Sequence, residues 1–439
     1  MAEADALAGE LFRREAGKIA AWLARLLGPS RLDLIEDAVQ DAFAAALARW
    51  PDDGVPARPS GWLATAARNR ALDRLKREAR NAPFDDDAAW RLGFADPEET
   101  GKLDDTLALM FVACHPALER EEQTMLVLKT VCGFGVKEIA RAYLSTEEAV
   151  TQRLVRAKRK IKGLGLAFAI PEGPELAARL PALIAAIYLL FNSGYTAGEG
   201  EALLRRELCA EALRLAGLLT EHCATATGEA HALAALIAFH HARAGARTNG
   251  EGALILLADQ DREAWDRTLI ARGFAHLEAA MAAPALTPLH LEAAIAGTHA
   301  AAPSFEATDW RMLAHYYAAL EELKPTPVVR LNAAVALAQA EGPAAGLARL
   351  DALAGARKLA RYALYHAARG SLLQKLGRGA EAAEAFTAAL ACPITEPERA
   401  HLERERAACT AARGQVNSTA EISMSIVSPF PESGKTSAS

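Results

Sequence analysis

Aromatic residues make up only 6 % of the 439 positions. No stretch alternates apolar and polar residues between hairpin turns, so the chain has no basis for a β-sandwich or barrel. The six cysteines (114, 132, 209, 223, 392, 409) are scattered. With no C-x-x-C pair and no histidine at ligand spacing, they encode neither a disulfide framework nor a zinc site, and read as small buried hydrophobes in a reducing compartment. The longest apolar run, Leu180–Phe191, is twelve residues and contains Pro181, shorter than the roughly 20 needed to cross a bilayer. Met1–Glu15 carries acidic residues and no apolar core of a signal peptide. A soluble cytoplasmic protein without a membrane partner is expected. Enzyme signatures are missing as well: there is no HExxH, no glycine-rich phosphate loop and no GxSxG. His240 and His241, being adjacent, point to different sides of a helix and gather no carboxylate. No catalytic residue, metal or cofactor is expected.

What the chain has in abundance is helix former. Hydrophobic residues supply 51 %, about a hundred positions are alanine, and leucine is frequent, which predicts an all-α protein with enough apolar surface to bury several cores. Composition divides it into helices over 1–82, an acidic Pro- and Gly-containing linker over 83–102, helices again over 103–166, an Ala/Leu-rich helical stretch over 167–413, and a Ser-rich tail over 414–439 that lacks period and reads as disordered. In the long stretch, Gly370, Ala382, Phe386, Ala389 and Pro393 approximate the small/large/small pattern of a helical repeat, with a weaker copy at Ala334, Gly346, Leu350 and Leu353. A degenerate tetratricopeptide-like array is expected there, with an ordinary helical bundle as the alternative.

The net charge of −6 hides a division. Residues 126–162 hold nine Lys/Arg against three Glu, and residues 65–80 hold six against two acids, whereas residues 163–439 hold 24 basic and 29 acidic residues. Two compact basic segments therefore sit in the first third of an otherwise acidic chain.

Three helices carry the functional signal. In Asp33–Trp50, Ile35, Val39, Ala42 and Ala46 share one face while Glu36, Asp37, Gln40 and Asp41 share the other, and no Lys or Arg falls between Asp33 and Ala48. Such a face suits a basic protein partner. In Ser60–Arg80, opened by Ser60 as a cap, Leu63, Ala64, Ala67, Ala71, Leu72 and Leu75 form an apolar arc. Trp62, Arg68, Asn69, Asp73, Arg77 and Arg80 supply an aromatic, an amide and guanidinium groups, the chemistry of opened nucleic acid: the ring stacks on an unpaired base while arginines hold phosphates. Trp62 reads equally well as a core anchor. In Val136–Lys162 a short helix, a turn at Leu144–Ser145 and a basic helix capped by Ser145 with Glu148 make a helix-turn-helix. Val150, Leu154, Ala157 and Ile161 face inward; Gln152, Val155, Arg156 and Arg159 face out.

The order and content of these helices resemble a bacterial sigma factor of the extracytoplasmic-function type. The resemblance extends, over about residues 5–412, to a subgroup with a long tetratricopeptide-like C-terminal extension. Its marks are Cys114-His115-Pro116, Gln152–Lys158 (QRLVRAK), Leu189–Tyr195 (LLFNSGY) and Asp259-Gln260-Asp261 followed by Trp265-Asp266-Arg267. It implies core RNA polymerase, through its beta-prime clamp helices, as the partner of Glu36, Asp37, Gln40 and Asp41. It implies −10 promoter DNA as the partner of Trp62, Arg68, Asn69, Asp73, Arg77 and Arg80, and −35 DNA as that of Thr151, Gln152, Val155, Arg156, Lys158 and Arg159. A protein or peptide partner is expected for the C-terminal helices. The linker is more acidic at Asp85–Asp87 than the pattern, and the Ser-rich tail has no counterpart in it. A stand-alone helix-turn-helix regulator is the alternative, but it needs neither the acidic face nor the Trp62–Arg80 helix. The Asp259–Arg267 motif is read as a polar network or groove wall.

Overall fold

The computed structural model describes residues 2–78, 96, 100, 102–143, 145–196, 202–247, 255–355, 359–394 and 396–411. Most of the acidic linker, Arg80, Leu144 and the whole Ser-rich tail lie outside them. The described residues form eighteen α-helices and no strand. The chain divides into two compact units, residues 1–194 with 214–226, and residues 195–213 with 227–439.

The first unit contains α1 (Ala2–Leu27), α2 (Leu32–Asp53), α3 (Pro59–Glu78), α4 (Leu103–Ala113), α5 (Arg120–Thr130), α6 (Val136–Ala142), α7 (Glu147–Leu164) and nearly all of α8 (Gly173–Thr196). Periodicity placed the buried faces well. Ile35, Val39, Ala42 and Ala46 of α2, Leu63, Ala64, Ala67, Ala71 and Leu75 of α3, and Val150, Leu154, Ala157 and Ile161 of α7 are all buried. Helix α1 packs on α2, α3, α4 and α5, with Trp22 and Leu23 fully enclosed and Arg25 Nε donating to Asp105 Oδ2 at 3.0 Å. The segments 1–82 and 103–166 fall within this one compact unit, with α1 packed against helices of both.

Two helix starts differ from expectation. Helix α7 is capped by Thr146, whose hydroxyl accepts from the Ala149 N–H at 3.2 Å, not by Ser145. Helix α3 begins at Pro59, with the Trp62 N–H bonded to the Arg58 carbonyl, so Ser60 lies within its first turn and is not the cap. In each case several small polar residues cluster, and the chain's entry path selects among them. Helix α8 is longer than the twelve-residue run: Gly173–Ser193 is long and apolar enough to cross a membrane by length and composition. Half of that stretch is buried, and Arg179 ties it inward through a 2.6 Å bond to the Phe111 carbonyl, as expected of a core helix.

After α9 (Ala202–Glu221), which the two units share, the second unit continues with α10 (Gly228–Ala242), α11 (Arg267–Met281), α12 (Pro288–Ala301), α13 (Trp310–Leu323), α14 (Pro327–Glu341), α15 (Pro343–Asp351), α16 (Ala363–Lys375), α17 (Gly379–Leu390) and α18 (Glu396–Ala411). From α12 onward each helix packs on the next in sequence. Side-chain caps at Thr227, Asp266, Asp309 and Thr326 start four of these helices. Of the residues in the repeat pattern, Ala334, Leu350, Ala382, Phe386 and Ala389 share one core cluster. A Cβ on Gly370 would stand about 2.9 Å from the Phe386 ring, and one on Gly346 would stand 2.7 Å from the Ala334 carbonyl oxygen. Only glycine allows α16 to close on α17, and α15 on α14, at these distances.

Candidate nucleic-acid and protein interface

The acidic face of α2 is not a free surface. Glu36 points inward and is 8 % exposed. Its Oε2 accepts from Lys158 Nζ of α7 at 3.0 Å, and the same ammonium lies 2.5 Å from Asp33 Oδ1. Burial raises the Glu36 carboxyl above the usual carboxylate range despite the lowering pull of Lys158. Burial acts to lower the Lys158 ammonium, but Glu36 and Asp33 outweigh it and carry that group above its ordinary value. Asp37 and Asp41 stay partly exposed and are bridged by one guanidinium: Arg74 Nη1 lies 2.7 Å from Asp37 Oδ2, and Nη2 2.9 Å from Asp41 Oδ2. Gln40 is exposed. The cations missing between Asp33 and Ala48 come from α3 and α7, which spacing along one helix cannot reveal.

On α3, Trp62 is half-buried with its ring 5.7 Å from that of buried Trp50, edge to face at 63°. It combines a packing contact with partial exposure, so both readings of this residue keep a basis. Arg68 is half-buried, with Nη2 3.4 Å from Asn69 Oδ1, while Asn69, Asp73 and Arg77 are exposed.

Helix α7 follows α6 after a short turn and presents Thr151, Gln152, Val155, Arg156 and Arg159 to solvent on one side. Val155 is 45 % exposed, uncommon for a branched aliphatic residue amid charge. Of the basic residues in this helix, Arg153 bridges to Glu121 at 2.6 Å and Lys160 to Glu122 at 2.8 Å, both on α5. Lys158, expected among the DNA-facing residues, instead lies 12 % exposed against α2. Basic side chains in α7 therefore split between fastening the helix and facing outward, with Arg156, Arg159 and Lys162 in the second group.

The remaining motifs form turns and walls. Cys114 is buried and His115 turns the chain after α4, its Nδ1 accepting from the Ala117 N–H and its carbonyl from Gln123. In the second unit, Asp266 caps α11, Asp261 accepts from the Glu263 N–H, and Arg262 and Trp265 are buried. Among the described residues no group of three or more His, Cys, Asp or Glu is placed to hold a metal, and no two cysteines are joined.

Residues 11–81, which contain α2 and α3, match sigma-70 region 2. The chain carries a sigma-70 region 2, which supports a sigma factor of the sigma-70 family. Its relatives include an uncharacterized protein, R00370, of Rhizobium meliloti (strain 1021), 40 % identical over 381 residues that cover 85 % of this chain and 89 % of that protein. Residues 179–281 match a family of unknown function, DUF6596. No solved structure matches. Sigma-70 family proteins are transcription initiation factors, and a region 2 implies core RNA polymerase and promoter DNA as partners of this sigma factor.

Proposed function

We propose that this sigma factor is of the extracytoplasmic-function type and acts as a cytoplasmic promoter-specificity subunit with two DNA-reading helices. The observation that carries the reading is the outward face of α7. Thr151, Gln152, Val155, Arg156 and Arg159 lie exposed together on a capped helix that follows a short helix and a turn. In a helix-turn-helix this face enters the major groove: Gln and Arg bond base edges, an apolar side chain meets a thymine methyl, and flanking cations hold phosphates. The −35 element is its assigned target. Helix α3 is assigned the −10 element, with Trp62 stacking on an unpaired base and Arg68, Asn69, Asp73 and Arg77 beside it. Core polymerase docks on Asp37, Gln40 and Asp41, with Glu36 beneath them.

The second unit is assigned a regulatory role as a tetratricopeptide-like module. Helices paired through Gly346 and Gly370 are the packing such repeats use, and its acidic balance disfavours added DNA contacts. Run-off transcription with purified core enzyme tests the whole reading. The full chain should direct initiation from a defined promoter, and Arg156→Ala should weaken upstream-element binding by about 1–3 kcal/mol. Specific duplex binding without any core-dependent transcript would favour a stand-alone regulator.

A further inference from the structure

Both helices assigned to promoter DNA are tied to the start of α2. On α3, Glu78 meets Arg31 at 3.2 Å, Arg74 holds Asp37 and Asp41, and Trp62 reaches Trp50 at the far end of α2. Helix α3 therefore runs back along α2. On α7, Lys158 Nζ lies 2.5 Å from Asp33 Oδ1 and 3.0 Å from Glu36 Oε2, and the helix packs on the turn at Pro29–Arg31. Earlier in the chain, Gly17 of α1 faces the Val131 carbonyl at the end of α5 so closely that a Cβ would overlap the oxygen. Only glycine permits this approach of α1 to α5.

These ties limit how far apart the two reading faces can stand. Trp50 to Asp33 is about 25 Å of helix, and Lys158 to Thr151 about 10 Å, at 1.5 Å per residue. With the side chains that link them, Trp62 and Thr151 are at most roughly 60 Å apart. Elements at −10 and −35 lie about 25 base pairs apart, roughly 85 Å of duplex at 3.4 Å per pair. Closing that gap by bending takes more than the bend of about 40–90° that proteins impose on a site of similar length. In this arrangement the chain can read one element but not both.

Given the transcription reading, on which this rests, we infer that the first unit is in a closed, autoinhibited state. Gly17 against Val131 and Lys158 against Asp33 and Glu36 form its latch, and both promoter elements are read only after α4–α7 part from α1–α3. Lys158 lies in the helix pattern where a DNA contact is expected, and in the closed state Asp33 and Glu36 neutralise it within the protein. The residues assigned to polymerase adjoin the latch, since Asp37 follows Glu36. A basic surface brought to Asp37 and Asp41 places like charge beside Lys158 and loosens its hold. Docking and opening thereby favour each other, as linkage requires.

Gly17→Ala distinguishes a latch from a permanent core. Alanine suits a helix better than glycine, so the substitution opposes only the approach to Val131. Run-off transcription with limiting full chain, excess core polymerase and a promoter from which the parent initiates reads the effect. A latch predicts about 5- to 10-fold more transcript from Gly17→Ala, as the balance shifts toward the open form. A contact that the active form keeps predicts less transcript, and either less or equal transcript from the folded variant would overturn the closed state. Should Gly17→Ala fail to fold, Asp33→Asn decides with the same expected sign: Asp33 is 75 % exposed and holds Lys158 from outside the core. The two failures are distinct. No core-dependent transcript from the parent sinks the transcription reading, whereas a parent that initiates beside variants with equal or less transcript sinks the closed state alone.

Discussion

The Lys158–Glu36 bridge gives the sharpest test of how the first unit is held together. Replacing Lys158 by Met keeps the stem and removes the ammonium, leaving Glu36 buried without its cation. The side chains are 12 % and 9 % exposed, and removing one partner of a buried pair costs about 3–5 kcal/mol when the other must stay charged. Glu36 has an escape, since its carboxyl already sits above the ordinary range through burial, and without Lys158 it should rise further and take a proton. A carboxyl whose folded pKa exceeds its unfolded value contributes stability that is fully present below the unfolded value and is lost as pH rises through the folded one. The variant should therefore lose little at about pH 5, of the order of 1–2 kcal/mol for one hydrogen bond and some packing. At about pH 8 it should lose about 3–4 kcal/mol, each unit of further shift adding about 1.4 kcal/mol. Urea unfolding at both pH values, followed by tryptophan fluorescence, reads the difference, since Trp22, Trp50 and Trp62 all lie in this unit. Adding Glu36→Gln to the variant should recover part of the loss at about pH 8 only. Equal loss at the two pH values, or no recovery in the double variant, would refute the account of Glu36 as a buried carboxyl held ionised by Lys158.

Reversing Asp37 and Asp41 to Lys sets two cations against Arg74 and should abolish co-purification with core polymerase. Adding Arg74→Glu should restore the intramolecular bridges, worth about 1 kcal/mol at this exposure, but not polymerase binding; recovered binding would remove the docking assignment. Trp62→Ala forfeits the edge-to-face contact with Trp50, about 0.5–1.5 kcal/mol beyond its buried area. It should impair promoter opening, seen as lost permanganate reactivity of unpaired thymines, while duplex binding persists; global unfolding would make Trp62 a core anchor alone. Gly346→Ala places a methyl 2.7 Å from the Ala334 carbonyl oxygen and should destabilise the second unit by about 1–3 kcal/mol. A thermal midpoint equal to the parent's would refute the close approach of α14 and α15 at Gly346.

Local periodicity determined which side of each helix is buried. In α2, α3 and α7 the apolar positions read from a 3.6-residue repeat are the buried ones, Leu72 excepted, which is half-buried. This is legible in sequence because both the repeat and the face it creates belong to a single helix. The glycines of the repeat pattern were legible for a related reason: a small residue opposite a large one marks a close approach whatever the partner's exact place. Tertiary structure alone decided what the charges do. Lys158 meets Glu36 across 122 positions, and Arg74 reaches Asp37 across 37, so a face without cations in its own sequence acquires them from other helices. Arg262 likewise reaches the His299 and Ala302 carbonyls across 37 and 40 positions. An ion pair or a cavity depends on distances between helices, and one helix's pattern carries no information about those.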